Sequence, residues 1–177
     1  MLEMGVELTP EDHEAVHWWR KGARASLRTT VDVTYGAQEL WYENLDRNLH
    51  RYWGFFEQEN KEAYLDGESS TYAKMVAFGG LTYIDWVNRS AEISLIVNPS
   101  VRGKGNGKDA VILLVSEAFD RMNLDQVYGE AYRNTSAWKF WEVMAERYDA
   151  VTTKIPRRKY WDREYYDSFY FSIKNQS

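Results

Sequence analysis

The stretch that decides the fold runs from Ala91 to Arg121, AEISLIVNPSVRGKGNGKDAVILLVSEAFDR. It reads as an apolar strand, a tight glycine-rich turn and then a long helix. The turn, Arg102-Gly103-Lys104-Gly105-Asn106-Gly107-Lys108, places three glycines in five positions just ahead of the helix. Glycine admits positive φ and exposes backbone N–H groups, and a helix start adds unpaired donors of its own. Such a nest holds an anion through the backbone, and Arg102, Lys104 and Lys108 add direct charge. Two familiar phosphate loops do not fit. Asp109 stands where a P-loop needs Ser or Thr, and Gly103-Lys104-Gly105 is followed by Asn106-Gly107, which breaks the dinucleotide pattern.

The rest of the chain bounds what that phosphate belongs to. At 177 residues the sequence fits one domain with a real core. It has no cysteine, which excludes a disulfide framework, a cysteine nucleophile and thiolate metal sites. With 22 basic against 27 acidic side chains the net charge is -5, so no general nucleic-acid surface is expected. No apolar run reaches the ~18 residues of a membrane span. Glu3, Glu7 and Glu11 fall where a signal peptide would be apolar. A cytoplasmic protein is the expectation. Aromatic residues make up 16% of the chain, enough to line a pocket as well as to fill a core.

Taken in order, Met4 to Thr9 reads as a first strand. Thr9-Pro10-Glu11-Asp12 then has the grammar of a helix start, with the helix stopping near Gly22. Residues from Thr29 to Thr34 are weakly extended. Gln38 to Leu49 reads as a helix with Leu40, Trp41, Leu45 and Leu49 as its packing face. Tyr52 to Glu57 and Ala73 to Trp86 read as strands, the second interrupted by Gly79-Gly80, which signals a bulge or a close backbone approach. Asn60 to Ser70 is ambiguous, with Asp66-Gly67 a turn signal. After the long helix come a strand at Gln126 to Ala131 and a helix at Ala137 to Glu146. A strand edge follows at Tyr148 to Thr153, then a basic loop at Ile155 to Lys159 and a closing strand at Tyr165 to Ile173. The sum is one mixed α/β sheet covered by helices.

One motif points elsewhere. His13-Glu14-Ala15-Val16-His17 matches the spacing at which two histidines share a zinc, with the glutamate polarising its water. A zinc hydrolase is therefore one alternative, set against a surface helix whose histidines are solvated or locally paired.

Read as Arg102-x-x-Gly105-x-Gly107 after a strand ending in Asn98-Pro99, the opening stretch resembles the acyl-CoA-binding motif of the GCN5-related N-acetyltransferases. Ala91-Glu92-Ile93 before the turn, Ala110 through Phe119 after it, and the later strand into Asn134 and a short helix all match the family's shape. Within the family, the chain looks most like the branch containing ribosomal-protein N-terminal acetyltransferases. The resemblance implies a single α/β domain with a mostly antiparallel sheet and a splayed central strand pair. It implies acetyl-CoA as cosubstrate and a primary amine as acceptor. Leu95, Ile96 and Val97 would offer backbone groups to the pantetheine arm. Arg102 through Gly107 would cup the pyrophosphate, with Lys104 and Lys108 reaching outer phosphates, and Asn134 and Ser136 would hold the pantetheine side.

Acyl transfer from a thioester needs a neutral amine, a polarised carbonyl and a protonated leaving thiol. Glu92 is the first candidate for the base and Glu130 the second, and the backbone N–H near Ile96 would polarise the carbonyl. The family often places a tyrosine seven residues after the asparagine as the acid. Here that position is Trp141, whose indole has no such acidity and which is assigned instead to the wall of the acyl channel. Tyr132 or Tyr160 could substitute as the acid. The substitution at Trp141 also supports a second alternative, a catalytically silent CoA-binding protein. Acceptor candidates are Trp19, Tyr35, Tyr83, Trp86 and Tyr160. A homodimer through a sheet edge or an aromatic patch is admissible.

Overall fold

The computed structural model describes residues 2–5, 8–28, 34–57, 75–133 and 135–176. Seven strands form one sheet: β1 Leu2–Gly5, β2 Arg51–Glu57, β3 Met75–Asp85, β4 Ser90–Val97, β5 Gln126–Tyr132, β6 Val151–Trp161 and β7 Glu164–Lys174. Their order across the sheet is β1-β2-β3-β4-β5-β7-β6. Neighbours are antiparallel except β4 and β5, which run parallel. The helices are α1 Pro10–Gly22, α2 Tyr35–Glu43, α3 Asn106–Ser116 and α4 Ala137–Arg147. A π-helical turn, Glu117–Arg121, continues α3.

Strand alternation gives the sheet two apolar faces. Ala91 and Ile93 of β4, Val127 and Ala131 of β5, and Phe171 and Ile173 of β7 pack with Ala110, Val111 and Leu114 of α3 and Trp141, Met144 and Ala145 of α4. On the other face Ala15, Val16 and Trp19 of α1 and Tyr42 of α2 cover Phe56, Met75 and Phe78. Each such large side chain removed from water contributes about 1.5–3 kcal/mol. The start of α1 is a capping box. Thr9 Oγ1 accepts from Asp12 N at 3.3 Å, and Asp12 Oδ2 accepts from Thr9 N at 2.9 Å.

Four sequence expectations change. The first strand lies at Leu2–Gly5, ahead of the expected Met4 to Thr9. α2 spans Tyr35–Glu43, so Leu45 and Leu49 fall outside it, and its buried residues are Gln38 and Tyr42 while Leu40 is exposed. The basic stretch Ile155 to Lys159 is part of β6. The register against β7 shifts between Ile155 and Lys159, and this bulge accommodates Pro156, which cannot donate to a ladder. β7 does not close the sheet, because it lies between β5 and β6. The Thr29 to Thr34 reading apart from Thr34, and the whole Asn60 to Ser70 reading, lie outside the described residues. Gly79-Gly80 marks close approach: a Cβ at Gly79 would stand 2.5 Å from Ser94 O, and one at Gly80 would collide with Arg51 O.

Candidate active site

The parallel pair opens like a wedge. β4 and β5 are in register only at Ser90–Gln126, Ala91–Val127 and Glu92–Tyr128. Beyond these residues β4 stays with β3 as far as Val97, while β5 stays with β7 as far as Tyr132. Glu92 therefore stands at the apex of the wedge, and Leu95, Ile96 and Val97 border its widening part. Leu95 and Val97 pack on the α3–α4 side and Ile96 on the α1–α2 side.

At the far end of β4, Asn98 turns the chain: its Oδ1 accepts from Ser100 N at 3.0 Å and Ser100 Oγ at 2.8 Å. Gly103 and Gly105 follow at φ 81° and 92°. A Cβ at either would meet nothing within 4 Å, so the backbone angle, not space, calls for glycine there. Gly107 differs, because its Cβ would lie 3.2 Å from Val97 Cγ2 and 3.3 Å from Phe140 Cε2. Its role is to bring α3 close to β4 and α4. Asp109 N bonds to Gly105 O at 3.1 Å, which leaves the amides of Asn106, Gly107 and Lys108 ahead of the helical ladder. Asn106 is buried, and its Nδ2 has no hydrogen-bond partner among the described residues. Arg102, Lys104 and Lys108 are exposed around the turn. Spare amides, an orphaned buried amide group and three exposed cations fit a phosphate-bearing ligand.

At the apex lies an open cleft of about 500 Å³ whose lining includes Glu92, Glu130, Tyr128, Tyr170 and Tyr83. It is crossed by charges that the sequence did not flag. Arg28 Nη2 lies 2.7 Å from Glu92 Oε1 and 3.6 Å from Glu130 Oε2, and Arg158 Nε lies 2.9 Å from Glu130 Oε1. The carboxylates are the better shielded partners, with side chains 16% and 6% exposed, whereas Arg28 is 49% exposed. Burial pushes the Glu92 carboxyl above its ordinary value; Arg28 pulls it back, and the charge on Glu130 pushes it further up. Burial also raises the phenols of Tyr128, Tyr132 and Tyr170, helped by the nearby carboxylates, which keeps them as neutral O–H groups.

Arg28 owes its place to Lys159. This lysine is buried on β6, and its Nζ donates to Ala25 O at 2.6 Å, Leu27 O at 2.7 Å and Arg24 O at 3.5 Å. Its ammonium also sits 4.5 Å from the centre of the Tyr132 ring. The carbonyls at the end of the short turn Arg24–Ser26 are thus tied to the sheet, one residue before Arg28. The only sequence signal was a lysine in a basic run, and nothing local says that its ammonium is buried.

The remaining expected site residues are dispersed. Of the acceptor candidates, Tyr83 lines the cleft. Trp19 is buried on the packing face of α1, and Tyr35 donates to Pro10 O at 3.1 Å. Trp86 donates to Asn48 O at 2.8 Å, and Tyr160 is exposed on β6 against Tyr165. Trp141 sits in the core with its ring 4.8 Å from that of Phe171, so what it lines is the packed interior. Ser136 is exposed just before α4, and Asn134 lies outside the described residues. The histidine motif is not assembled as a metal site. The His13 ring packs edge-on to Tyr42 at 4.8 Å, and Glu14 Oε1 accepts from Trp18 Nε1 at 3.4 Å. Among the described residues no three His, Cys, Asp or Glu side chains are grouped to share an ion.

A sequence model of the acetyltransferase (GNAT) domain matches residues 6–142. The chain belongs to the GNAT acetyltransferase family. It is an acetyl-transferring enzyme, and this GNAT domain has the seven-stranded, mostly antiparallel sheet and splayed central pair that the resemblance implied. No curated protein matches it. Among solved structures it is similar to mutant forms of the spermidine/spermine N-acetyltransferase SpeG from Vibrio cholerae, at TM-score 0.76 and 16% identity, over 98% of this chain and 93% of that one. It is also similar to an N-acetyltransferase from Staphylococcus aureus Mu50, at TM-score 0.74 and 16% identity, over 98% and 97%. A third likeness is the dodecameric form of the Vibrio cholerae spermidine enzyme, at TM-score 0.73 and 17% identity, over 98% and 92%. At these identities the likeness concerns the fold, and nothing in it singles out the ribosomal-protein branch. No helix among the described residues is long and apolar enough to cross a membrane.

Proposed function

We propose that this GNAT enzyme transfers the acetyl group of acetyl-CoA to a primary amine that reaches Glu92 through the cleft. The observation that carries the reading is the placing of two features at opposite ends of β4. A phosphate-fitting turn follows Val97, and a partly buried acid stands at Glu92. Five residues of strand separate them, roughly 17 Å at ~3.3 Å per residue. A ligand that joins phosphate to reacting carbon over that span must carry a long linear arm, and the wedge offers that arm strand backbone on both sides.

When bound, acetyl-CoA supplies an activated acyl thioester. The backbone at Leu95 to Val97 orients the arm, while Arg102 through Lys108 and the Asn106 amide take its phosphates. The donor near Ile96 that polarises the carbonyl is the N–H of Leu95 or Val97, because Asn98 N donates to Val76 O and the alternation of the ladder turns the Ile96 amide toward β3. Glu92, earlier on the same strand, takes the amine proton through a bridging water. As the amine nitrogen bonds to the acyl carbon, the carbon–sulfur bond breaks and the thiol recovers a proton from solvent, since Trp141 is no acid. Holding the two reactants in one wedge supplies much of the acceleration.

Acetyl-CoA titration of the purified chain, followed by thiol release with a panel of primary amines, tests this. Saturable binding and amine-dependent thiol release are expected; the absence of binding would refute it. A second reading, CoA binding without turnover, rests on Trp141 and is separated by the same assay. Self-association belongs to the proposal as well: β6 is an edge strand with one side unpaired among the described residues, and sedimentation of the native chain as a monomer would remove it.

A further inference from the structure

The cleft holds two partly buried carboxylates, and its cations come from outside the central strands. Glu130 also pairs with Arg158 at 2.9 Å. Arg28 is different in kind. It arrives from the segment after α1, is half exposed, and bridges both acids from the solvent side. Its guanidinium thus fills the space in front of the carboxylate pair, on the route by which an amine would reach Glu92. A half-exposed ion pair contributes little to stability, so a ligand that brings its own cation can replace it at small cost. What keeps Arg28 in place is the Lys159 tether on Ala25 and Leu27.

We propose that Arg28 is a specificity-determining residue of the acceptor site. Its guanidinium stands where a second cationic group of the acceptor binds, and Lys159 positions it there, so the acceptor class is an amine that carries a further positive charge. The inference rests on the transferase reading above. The acceptor's second ammonium takes the place of Arg28 on Glu130, and its neutral nitrogen is left to approach Glu92. No covalent step is added to the reaction. The tyrosines at 83, 128 and 170 suit an alkyl chain between the two nitrogens, since their rings line the cleft beside the acids. An amine with a single nitrogen has no charge left to displace the guanidinium once that nitrogen is placed for attack.

The probe is diaminobutane, with butylamine as its single-nitrogen counterpart. Calorimetric titration of diaminobutane into CoA-saturated protein compares native, Arg28→Ala and Lys159→Met chains. Removing the competing guanidinium is expected to tighten diaminobutane by about two- to fivefold, the range for losing a half-exposed pair as competitor. Lys159→Met is expected to shift affinity in the same direction by a smaller factor, and Lys159→Arg to restore it in part. In turnover, Arg28→Ala lowers KM for diaminobutane by a larger factor than KM for butylamine. Unchanged or weaker diaminobutane binding in Arg28→Ala overturns the inference. So does equal tightening of both amines, which would assign the carboxylates to the reacting nitrogen. Because calorimetry needs no turnover, tighter diamine binding without any acetyl transfer would refute the transferase reading alone.

Discussion

Replacing Glu92 by Gln separates its chemistry from its structural part. The two side chains have nearly the same shape, so the cleft keeps its volume while the base is lost. A positioned general base contributes ~10²- to 10⁴-fold, so kcat/KM should fall by about that factor, or about 3–5 kcal/mol in the barrier. Burial holds the Glu92 carboxyl above its ordinary value. The native enzyme should therefore gain activity as pH rises through that raised value, where the carboxylate forms, and Glu92→Gln should lack this ascending limb. Stability should move the other way or hardly at all. An acid with a raised folded-state pKa favours folding below its unfolded value and loses that contribution as pH rises through the folded one. At neutral pH the partly desolvated charge of Glu92 is thus a cost that Gln does not carry. The lost pairing with half-exposed Arg28 is worth only ~0–1 kcal/mol. Thiol release with acetyl-CoA and a sub-saturating amine, run across pH, measures the first effect, and thermal melting measures the second. Activity within about threefold of native, or a loss of activity matched by a collapse in Tm, would refute the reasoning.

Other expected outcomes follow from the same structure. Gly105→Val forces a β-branched residue to φ 92° and should cost roughly 1–2 kcal/mol along with acetyl-CoA affinity, both readable by melting and calorimetry. Trp141→Ala should remove about 3–5 kcal/mol of stability as a core truncation. Trp141→Phe should keep kcat within a few-fold, because the ring stacks on Phe171 and is not the acid. Gly80→Ala drives a Cβ into Arg51 O and should destabilise by about 1–3 kcal/mol in denaturant unfolding. Thr9→Ala breaks the capping box of α1 and should cost ~1 kcal/mol.

What was legible in the sequence was what local chemistry dictates. The glycines at 103 and 105 and the capping box of Thr9 and Asp12 each declare their conformation within a few residues, and Glu92 is carried by the strand that they terminate. The Arg28 and Lys159 pairings are legible nowhere locally. Arg28 sits in a polar run without period, 64 residues from Glu92, and Lys159 reaches carbonyls more than 130 residues away. The strand edge read at Tyr148 to Thr153 catches only the start of β6, because Pro156 argues against a strand beyond it until the bulge is known. The face of α2 was misread because the helix ends at Glu43, so the spacing of Leu45 and Leu49 belongs to no helix. The fit of Gly107 against Val97 and Phe140 is likewise a tertiary fact.

The central claim is that Glu92 and the turn at 102–108 serve one reaction on one long ligand. The most direct measurement is single-turnover mass spectrometry of acetyl-CoA-loaded enzyme mixed with diaminobutane, for the native chain and Glu92→Gln. The account predicts acetylated diamine in step with free thiol from the native enzyme, and acetyl-CoA still bound but product greatly slowed in Glu92→Gln. Acetyl-CoA bound equally by both, with product formed equally or by neither, would contradict it.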